Sequence, residues 1–310
     1  MDKRELLAIG NNRLRRLATF ASITVSSTLI AAKLAAWIMT GSVAMMSSLF
    51  DSCFDLIASL ITAFGVASAL RPPDREHRYG HGKAEPLAAL AQAVIIIGSS
   101  IVLAGEAIDR FFYPAALTHE TVGYAVIALA IVLTIGLVSF QHRVVRKTGS
   151  HAVHADRLHY VGDLAINLAV AAAFVLQHFT GMPWFDPAFG VAIASGLLVS
   201  AYHIIRNAMT ALMDAELPED EREKIRAIVM KQSGVIGLHD MRTRSDSDRI
   251  FIELHVEMDP DMSLRDAHDL SERILDALYA AIPQADIVIH QDPAGIEEDR
   301  RDMRIEARWQ

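Results

Sequence analysis

Residues 43–69 read VAMMSSLFDSCFDLIASLITAFGVASA, an apolar stretch interrupted by two acids, Asp51 and Asp55. Farther along the chain, a second apolar stretch contains His159 and Asp163 at the same spacing. Residues i and i+4 lie on one face of an α-helix, so each pair points two side chains in the same direction. Ionisable groups at membrane depth are costly and usually mark an ion pathway. The two pairs predict a divalent-cation site within a membrane, although simple interhelical polar contacts would give the same pattern.

The hydrophobic residues, 52% of the 310-residue chain, are concentrated in its first two thirds. A helix needs about 20 apolar residues to cross a bilayer. Six stretches are long enough: 17–40, 43–70, 86–112, 121–141, 161–179 and 186–212. An even number of spans places both termini on the same side of the membrane. The sequence therefore predicts a six-helix transmembrane domain over residues 1–213.

The basic residues of the short connections predict the orientation of this domain. Arginines and lysines precede the first span and lie between spans two and three and between spans four and five, while the other connections contain neither. By the positive-inside rule, both termini are cytoplasmic, which fits a multi-pass protein of the cell's inner membrane. Lys33 and Arg110 lie within the apolar stretches, and we expect both to snorkel toward a helix end.

From residue 214 onward the chain is soluble in composition and contains 24 acids against 13 bases. This acidic balance argues against a nucleic-acid partner. The sequence also contains no Walker A motif, no Asp-Lys-Thr-Gly string and no HExxH motif. We therefore expect a protein that binds no nucleotide and is not an enzyme. Any transport would be passive or driven by an ion gradient.

Residues 214–295 predict a small cytoplasmic α/β domain with the element order αββαβ. Helical periodicity covers 219–231 and 263–281, with Ser263 as the N-cap and Asp266 three residues later. Strand-like runs cover 235–244, 249–258 and 286–290, and a turn-rich link, 245–248, joins the first two. The strongly charged residues 296–310 predict a disordered tail.

Potential metal ligands occur in three places. Three carboxylates and one imidazole at the paired positions would supply four ligands, as tetrahedral zinc sites require, and the imidazole disfavours magnesium and calcium. Asp74, His77 and His81 form a mixed donor set in a glycine-containing loop, although the solvated polar residues of an ordinary surface loop would give the same pattern. The tail contains further donors that could converge on zinc or simply be packed or solvated. These donors are His239, His255, His268, His290 and Asp292.

Four strings carry a resemblance to a known family: DSCFD at 51–55, DREHRYGHGKAE at 74–85, HYVGD at 159–163 and HQDP at 290–293. Over residues 13–293 the chain resembles the cation diffusion facilitators, specifically their bacterial zinc and iron efflux branch. The resemblance implies a homodimer with a ferredoxin-like, metallochaperone-like cytoplasmic domain that exports metal in exchange for protons. It assigns Asp51, Asp55, His159 and Asp163 to the transport site.

The resemblance also assigns the remaining donors. Asp74, His77 and His81 match a cytoplasmic loop site. The five donors of the tail match a binuclear site at the dimer interface, which would hold structural or regulatory zinc. Lys83 and Asp214 correspond to a salt bridge between protomers at the membrane face.

These observations predict a homodimeric, proton-coupled exporter of Zn2+ that works by alternating access in a lipid bilayer. Export of Fe2+, Cd2+ or Co2+ is the alternative within the family, because affinity order alone does not select a metal. A zinc-sensing membrane scaffold that transports nothing is the alternative from another class, but it would not need ligands at membrane depth. A passive channel is disfavoured, because a closed four-ligand site holds metal too tightly for rapid conduction.

Overall fold

The chain divides into two compact units, and the main boundary along the sequence falls between Met209 and Thr210. The computed structural model describes residues 3–40, 43–112, 121–180, 184–246 and 249–295. Residues 247–248 of the predicted 245–248 link and the predicted disordered tail, 296–310, lie outside these ranges.

The described part of the first unit consists of six helices and the turns and loops between them. The helices are α1 (Lys3–Thr40), α2 (Val43–Ala69), α3 (Ala84–Phe112), α4 (Thr121–Thr148), α5 (His151–Thr180) and α6 (Phe185–Leu212). Within the described ranges, α1, α2, α3, α4 and α6 are long and apolar enough to cross a membrane, which confirms a multi-pass protein. Helix α5 has 30 residues but carries Asp156, Arg157 and Asp163 in its first half. The crossing of α5, and with it the sixth span, stays a prediction.

Small residues let the helices of this unit approach closely. A methyl group added at Gly65 of α2 would overlap Ala88 of α3. One added at Gly190 of α6 would lie 2.7 Å from the Cβ atom of Ala107 on α3. Helices in lipid associate through such close packing, because lipid tails are as apolar as the side chains themselves. Helix α3 is thereby packed against both α2 and α6.

A buried ion pair joins the helices near the connection between α4 and α5. Arg15 Nη1 lies 3.4 Å from Glu85 Oε1, and the two side chains are 3% and 0% exposed. Arg15 also donates to the Thr148 carbonyl, and the Ser150 hydroxyl donates to Glu85. This pair and its hydrogen bonds tie α1, α3 and the α4–α5 connection together.

In the second unit, the described residues after Leu212 form a three-stranded sheet with two helices. Its elements are α7 (Glu219–Met230), β1 (Gly237–Ser245), β2 (Ile250–Met258), α8 (Leu264–Ala281) and β3 (Ala285–Pro293). The strand order is β1-β2-β3, with β1 antiparallel and β3 parallel to β2. The predicted αββαβ order is confirmed, and the hydroxyl of Ser263 caps α8 by accepting from the Asp266 N–H.

The core of the second unit lies between the helices and one face of the sheet. Its fully buried side chains include Ile225 and Val229 of α7, Ile252 of β2, and Leu270 and Ile274 of α8. Strand β3 is longer than predicted, because its pairing with β2 continues through Asp292 and Pro293. This extension brings Asp292, a predicted ligand in the HQDP string, into the sheet.

Candidate metal sites

The membrane unit brings together Asp55 of α2 with His159 and Asp163 of α5. Each offers one ligand atom, and these atoms all lie within 4.8 Å of one another. His159 Nε2 is 3.0 Å from Asp55 Oδ1 and 3.7 Å from Asp163 Oδ2. The side chain of His159 is only 7% exposed, and those of Asp55 and Asp163 are 18% and 30% exposed. A buried imidazole nitrogen between two carboxylates is a suitable donor set for a transition-metal ion.

Asp51, the fourth predicted ligand, is not part of this three-residue group. It lies one turn before Asp55 on α2 and its side chain is exposed. It is close enough to interact electrostatically with Asp55. A fourth ligand would therefore have to come from Asp51, a water molecule or another donor.

A buried polar network next to this group was missed by sequence reasoning. Asp156, on α5 and 1% exposed, accepts hydrogen bonds from Ser22 of α1 (2.7 Å), Gln141 of α4 (2.7 Å) and Gln92 of α3 (3.1 Å). Gln92 also donates to Thr62 of α2. Asp156 precedes His159 by three residues and Asp163 by seven, so the three side chains lie on one face of the helix. That spacing was the signal in the sequence, and the network links α5 to the four preceding helices.

Lys33 does not snorkel, so that expectation was wrong. Its ammonium donates to the Ser52 hydroxyl at 2.7 Å and to the Ser48 carbonyl at 3.0 Å. Both acceptors belong to α2, and Ser52 is 0% exposed. The polar groups of α2 retain the ammonium between the helices, because they provide hydrogen bonds that lipid cannot.

The predicted loop donors also lie together, in the connection between α2 and α3. His77 Nδ1 and His81 Nε2 each lie 3.3 Å from one oxygen of Asp74. The backbone N–H groups of His77 (2.7 Å) and Glu76 (2.9 Å) donate to Asp74 Oδ1. The His77 amide is the main reason that the pKa of Asp74 lies below its usual range. The loop is thus folded around an ionised carboxylate that faces two imidazoles.

In the second unit, strand register aligns three histidines. His239 of β1 pairs with His255 of β2, which pairs in turn with His290 of β3. The neighbouring rings are 5.2 Å and 4.5 Å apart between centroids. A register irregularity between His239 and Arg242, where Asp240 adopts a φ of 47°, lies immediately after the first histidine. The result is a row of imidazoles that crosses the whole sheet.

Asp292 connects this row through both of its carboxylate oxygens. Oδ2 lies 2.8 Å from His255 Nδ1 and 3.4 Å from His239 Nε2, and Oδ1 lies 3.1 Å from His290 Nε2. The Asp292 side chain is 6% exposed, while that of His290 is 63% exposed. Glu257, which sequence reasoning did not select, lies 3.7 Å from His239 Nε2. One buried carboxylate that reaches three imidazoles can bridge two metal ions.

The structure does not bring every predicted tail residue into this cluster. His268 lies on the exposed side of α8 and does not belong to the donor group of His239, His255 and Asp292. Asp214 accepts from Arg244 at 3.3 Å within the second unit. Lys83 belongs to the first unit. The salt bridge between Lys83 and Asp214 across a dimer stays a prediction.

Apolar helices with nitrogen and oxygen donors, followed by a small mixed-sheet domain with its own donor cluster, define a multi-pass metal transporter. Residues 19–213 match the family described as the cation efflux transmembrane domain. Residues 217–294 match the cytoplasmic domain of cation efflux proteins. The chain belongs to the cation diffusion facilitator family, as its motifs predicted, and is a cation efflux transporter rather than an enzyme.

Two cation-efflux pumps agree with this assignment, and two solved structures are similar to a part of the chain. The cation-efflux pump FieF of Shewanella oneidensis is 42% identical over 282 residues, which cover 91% of this chain and 95% of the relative. FieF of Serratia proteamaculans is 41% identical over 294 residues, which cover 95% and 98%. Among solved structures, the zinc form of the putative zinc transporter CzrB is 32% identical over 27% of this chain and 96% of its own, with a TM-score of 0.26. The metal-bound C-terminal domain of CzcD from Thermotoga maritima is 29% identical over 26% of this chain and 100% of its own, with a TM-score of 0.25.

Proposed function

We propose that this protein exports Zn2+ from the cytoplasm in exchange for protons, by alternating access, as a homodimer. The observation that carries the proposal is the group of Asp55, His159 and Asp163, which places two carboxylates around a buried imidazole on two helices of the membrane unit. Ionisable groups at such positions are costly and are retained for ion pathways. We place the protein in the inner membrane with both termini in the cytoplasm, as the basic connections favour.

The donor set favours zinc over harder cations. Zinc is commonly bound by nitrogen and oxygen ligands in a tetrahedral arrangement, whereas magnesium and calcium prefer oxygen alone. Asp51, one turn before Asp55, is our choice for the fourth ligand. Fe2+, Cd2+ and Co2+ remain alternative cargoes, because the same donors accept them and cellular supply decides which metal binds.

Proton exchange follows from the chemistry of the same atoms. A metal ion binds to the deprotonated forms of His159, Asp55 and Asp163, so metal and protons compete for the same lone pairs. The site would release protons as it takes metal from the cytoplasm and would take protons as it releases metal outside. Export would then draw its energy from the proton gradient.

We assign transport to residues 1–213 and metal-dependent dimerisation to residues 214–295. The row of His239, His255 and His290 around Asp292 supports a metal cluster on the sheet. His268, exposed on α8, would contribute from the second copy of the chain. The match to the family's cytoplasmic domain supports the homodimer. A scaffold that only senses zinc would need the sheet cluster but not the donors of α2 and α5, which is why transport is preferred.

The test is zinc uptake by the full-length protein in proteoliposomes with the cytoplasmic side outward. A zinc dye and a pH dye inside the vesicles would report both fluxes. We expect zinc entry with proton exit from wild-type vesicles and none with Asp163→Ala. Asp109→Ala is the matched control, because Asp109 is an exposed aspartate of the membrane helix α3 outside the donor groups and should keep wild-type flux. Uptake by Asp163→Ala at the wild-type rate would overturn the site, and zinc flux without proton flux would overturn the exchange.

A further inference from the structure

Lys33 places its side-chain ammonium beside the donor group of the membrane unit. It extends from α1 to α2, where its ammonium donates to Ser52 and to the carbonyl of Ser48. In the sequence, Ser52 directly follows Asp51, the proposed fourth ligand, and lies three residues before Asp55 of the donor group. The hydrogen bonds therefore retain the ammonium at the level of the carboxylates.

The ammonium interacts electrostatically with three aspartates: Asp55, Asp51 and Asp163. Asp163 interacts electrostatically with both His159 and Lys33. Charges interact strongly where water is scarce, so a lysine in this position affects any ion that enters the site. Its effect on a metal cation is repulsive, while its effect on the empty carboxylates is attractive.

The formal charges balance when a divalent ion is bound. The three aspartates contribute three negative charges, while Lys33 and a divalent ion together contribute three positive charges. Without Lys33 the loaded site would keep one net negative charge, and the carboxylates would hold the metal more tightly. A site that must release its metal once per cycle needs an affinity low enough for release.

A plain structural role for Lys33 would produce different behaviour. If its hydrogen bonds to α2 only fastened the two helices, a neutral side chain of similar length with an N–H donor would replace it. Glutamine meets that description, and arginine keeps the charge. The two substitutions therefore separate charge from hydrogen bonding.

We propose that Lys33 is the internal counter-cation of the transport site, which compensates the carboxylates when metal is absent and weakens metal binding enough to allow release. This inference rests on the proposed function, because it assumes that Asp51, Asp55 and Asp163 surround the transported ion. It assigns Lys33 an effect on both the affinity and the turnover of the transporter.

The experiment measures the zinc dependence of the initial uptake rate for the full-length protein in proteoliposomes. Lys33→Gln should lower KM by about fivefold or more, because the repulsive charge is removed. It should also lower the maximal rate by about threefold or more, because release slows. Lys33→Arg should keep both parameters within about twofold of wild type. Ser52→Ala, which removes one acceptor and keeps the charge, should leave KM closer to wild type than Lys33→Gln does.

An unchanged or raised KM in Lys33→Gln would overturn the proposal, and so would an Lys33→Arg variant that behaves like Lys33→Gln. If Lys33→Gln does not fold, Lys33→Ala tests the same loss of charge and should change both parameters in the same direction. If wild type binds zinc but does not carry it, the proposed function fails while Lys33 remains testable. The equilibrium dissociation constant for zinc then replaces KM, and Lys33→Gln should still bind at least about fivefold more tightly.

Discussion

Asp292→Asn is the substitution that most sharply tests the donor cluster on the sheet. It keeps the shape of the side chain but removes its charge and one of its two acceptor oxygens. In the structure those oxygens serve different histidines, with Oδ2 close to His255 and His239 and Oδ1 close to His290. Asparagine has a single side-chain oxygen, which can lie near His255 and His239 or near His290, but not near both.

The loss of zinc affinity can be estimated from the carboxylate contact that the substitution removes. A hydrogen bond to a charged group contributes about 1.5–3 kcal/mol. A loss of about 2.7 kcal/mol, within that range, corresponds to a zinc Kd raised about a hundredfold. At a free zinc concentration of about one hundred times the wild-type Kd, binding stabilises the folded domain by about 2.7 kcal/mol. After the substitution the same zinc concentration would stabilise it by only about 0.4 kcal/mol.

Hydrogen–deuterium exchange of the full-length protein measures this difference directly on β1, β2 and β3. Where exchange requires the domain to unfold, zinc should slow wild-type exchange about a hundredfold and Asp292→Asn exchange only about twofold. Asp286→Asn is the matched control, because Asp286 is an exposed aspartate of the same strand. Full zinc protection in Asp292→Asn would show that Asp292 does not hold the metal.

Three further substitutions or titrations test other parts of the account. His159→Asp makes the membrane donors all-oxygen, so uptake should shift from zinc toward the harder Mn2+ and change its pH dependence; an unchanged metal preference and pH profile in vesicle uptake would exclude His159 as a ligand. Gly65→Ala should destabilise the membrane unit by about 1–3 kcal/mol in thermal unfolding, because its methyl group would overlap Ala88, whereas Gly98→Ala meets nothing within 4 Å and should be close to neutral. Backbone amides donate to Asp74 and lower its pKa. The ionised carboxylate therefore stabilises the loop at pH values above the ordinary aspartate pKa, and this stabilisation is lost as the pH falls through the lower pKa of the folded state. An Asp74 pKa measured by NMR titration that lies at or above the ordinary aspartate range would contradict this.

The sequence predicted the helices best where hydropathy alone defines them. Helix α2 was expected at 43–70 and lies at Val43–Ala69. The fifth span was expected from residue 161, but α5 begins at His151. Its first half carries polar groups such as Asp156 and His159, which face protein rather than lipid, so a hydropathy criterion does not recognise it as part of the same helix.

Donor identity was also predictable from the sequence, whereas donor geometry was not. The i, i+4 spacing indicates that His159 and Asp163 share a face, but Asp55 is 104 positions away from His159 and approaches it only through helix packing. In the second unit, the row of histidines depends on the strand register and on the irregularity after His239. Register is set by pairing across the sheet, which a single sequence does not specify.

Anomalous diffraction at the zinc edge from crystals of the full-length protein, grown with zinc, shows directly whether the donor group of the membrane unit binds the ion. We expect an anomalous peak between Asp55, His159 and Asp163, about 2.0–2.2 Å from the donor atoms. The same peak should be absent from crystals of Asp163→Ala while any peak at the sheet cluster remains. Zinc at the sheet cluster with no peak between α2 and α5 in the wild-type protein would contradict the claim that this donor group binds the exported metal.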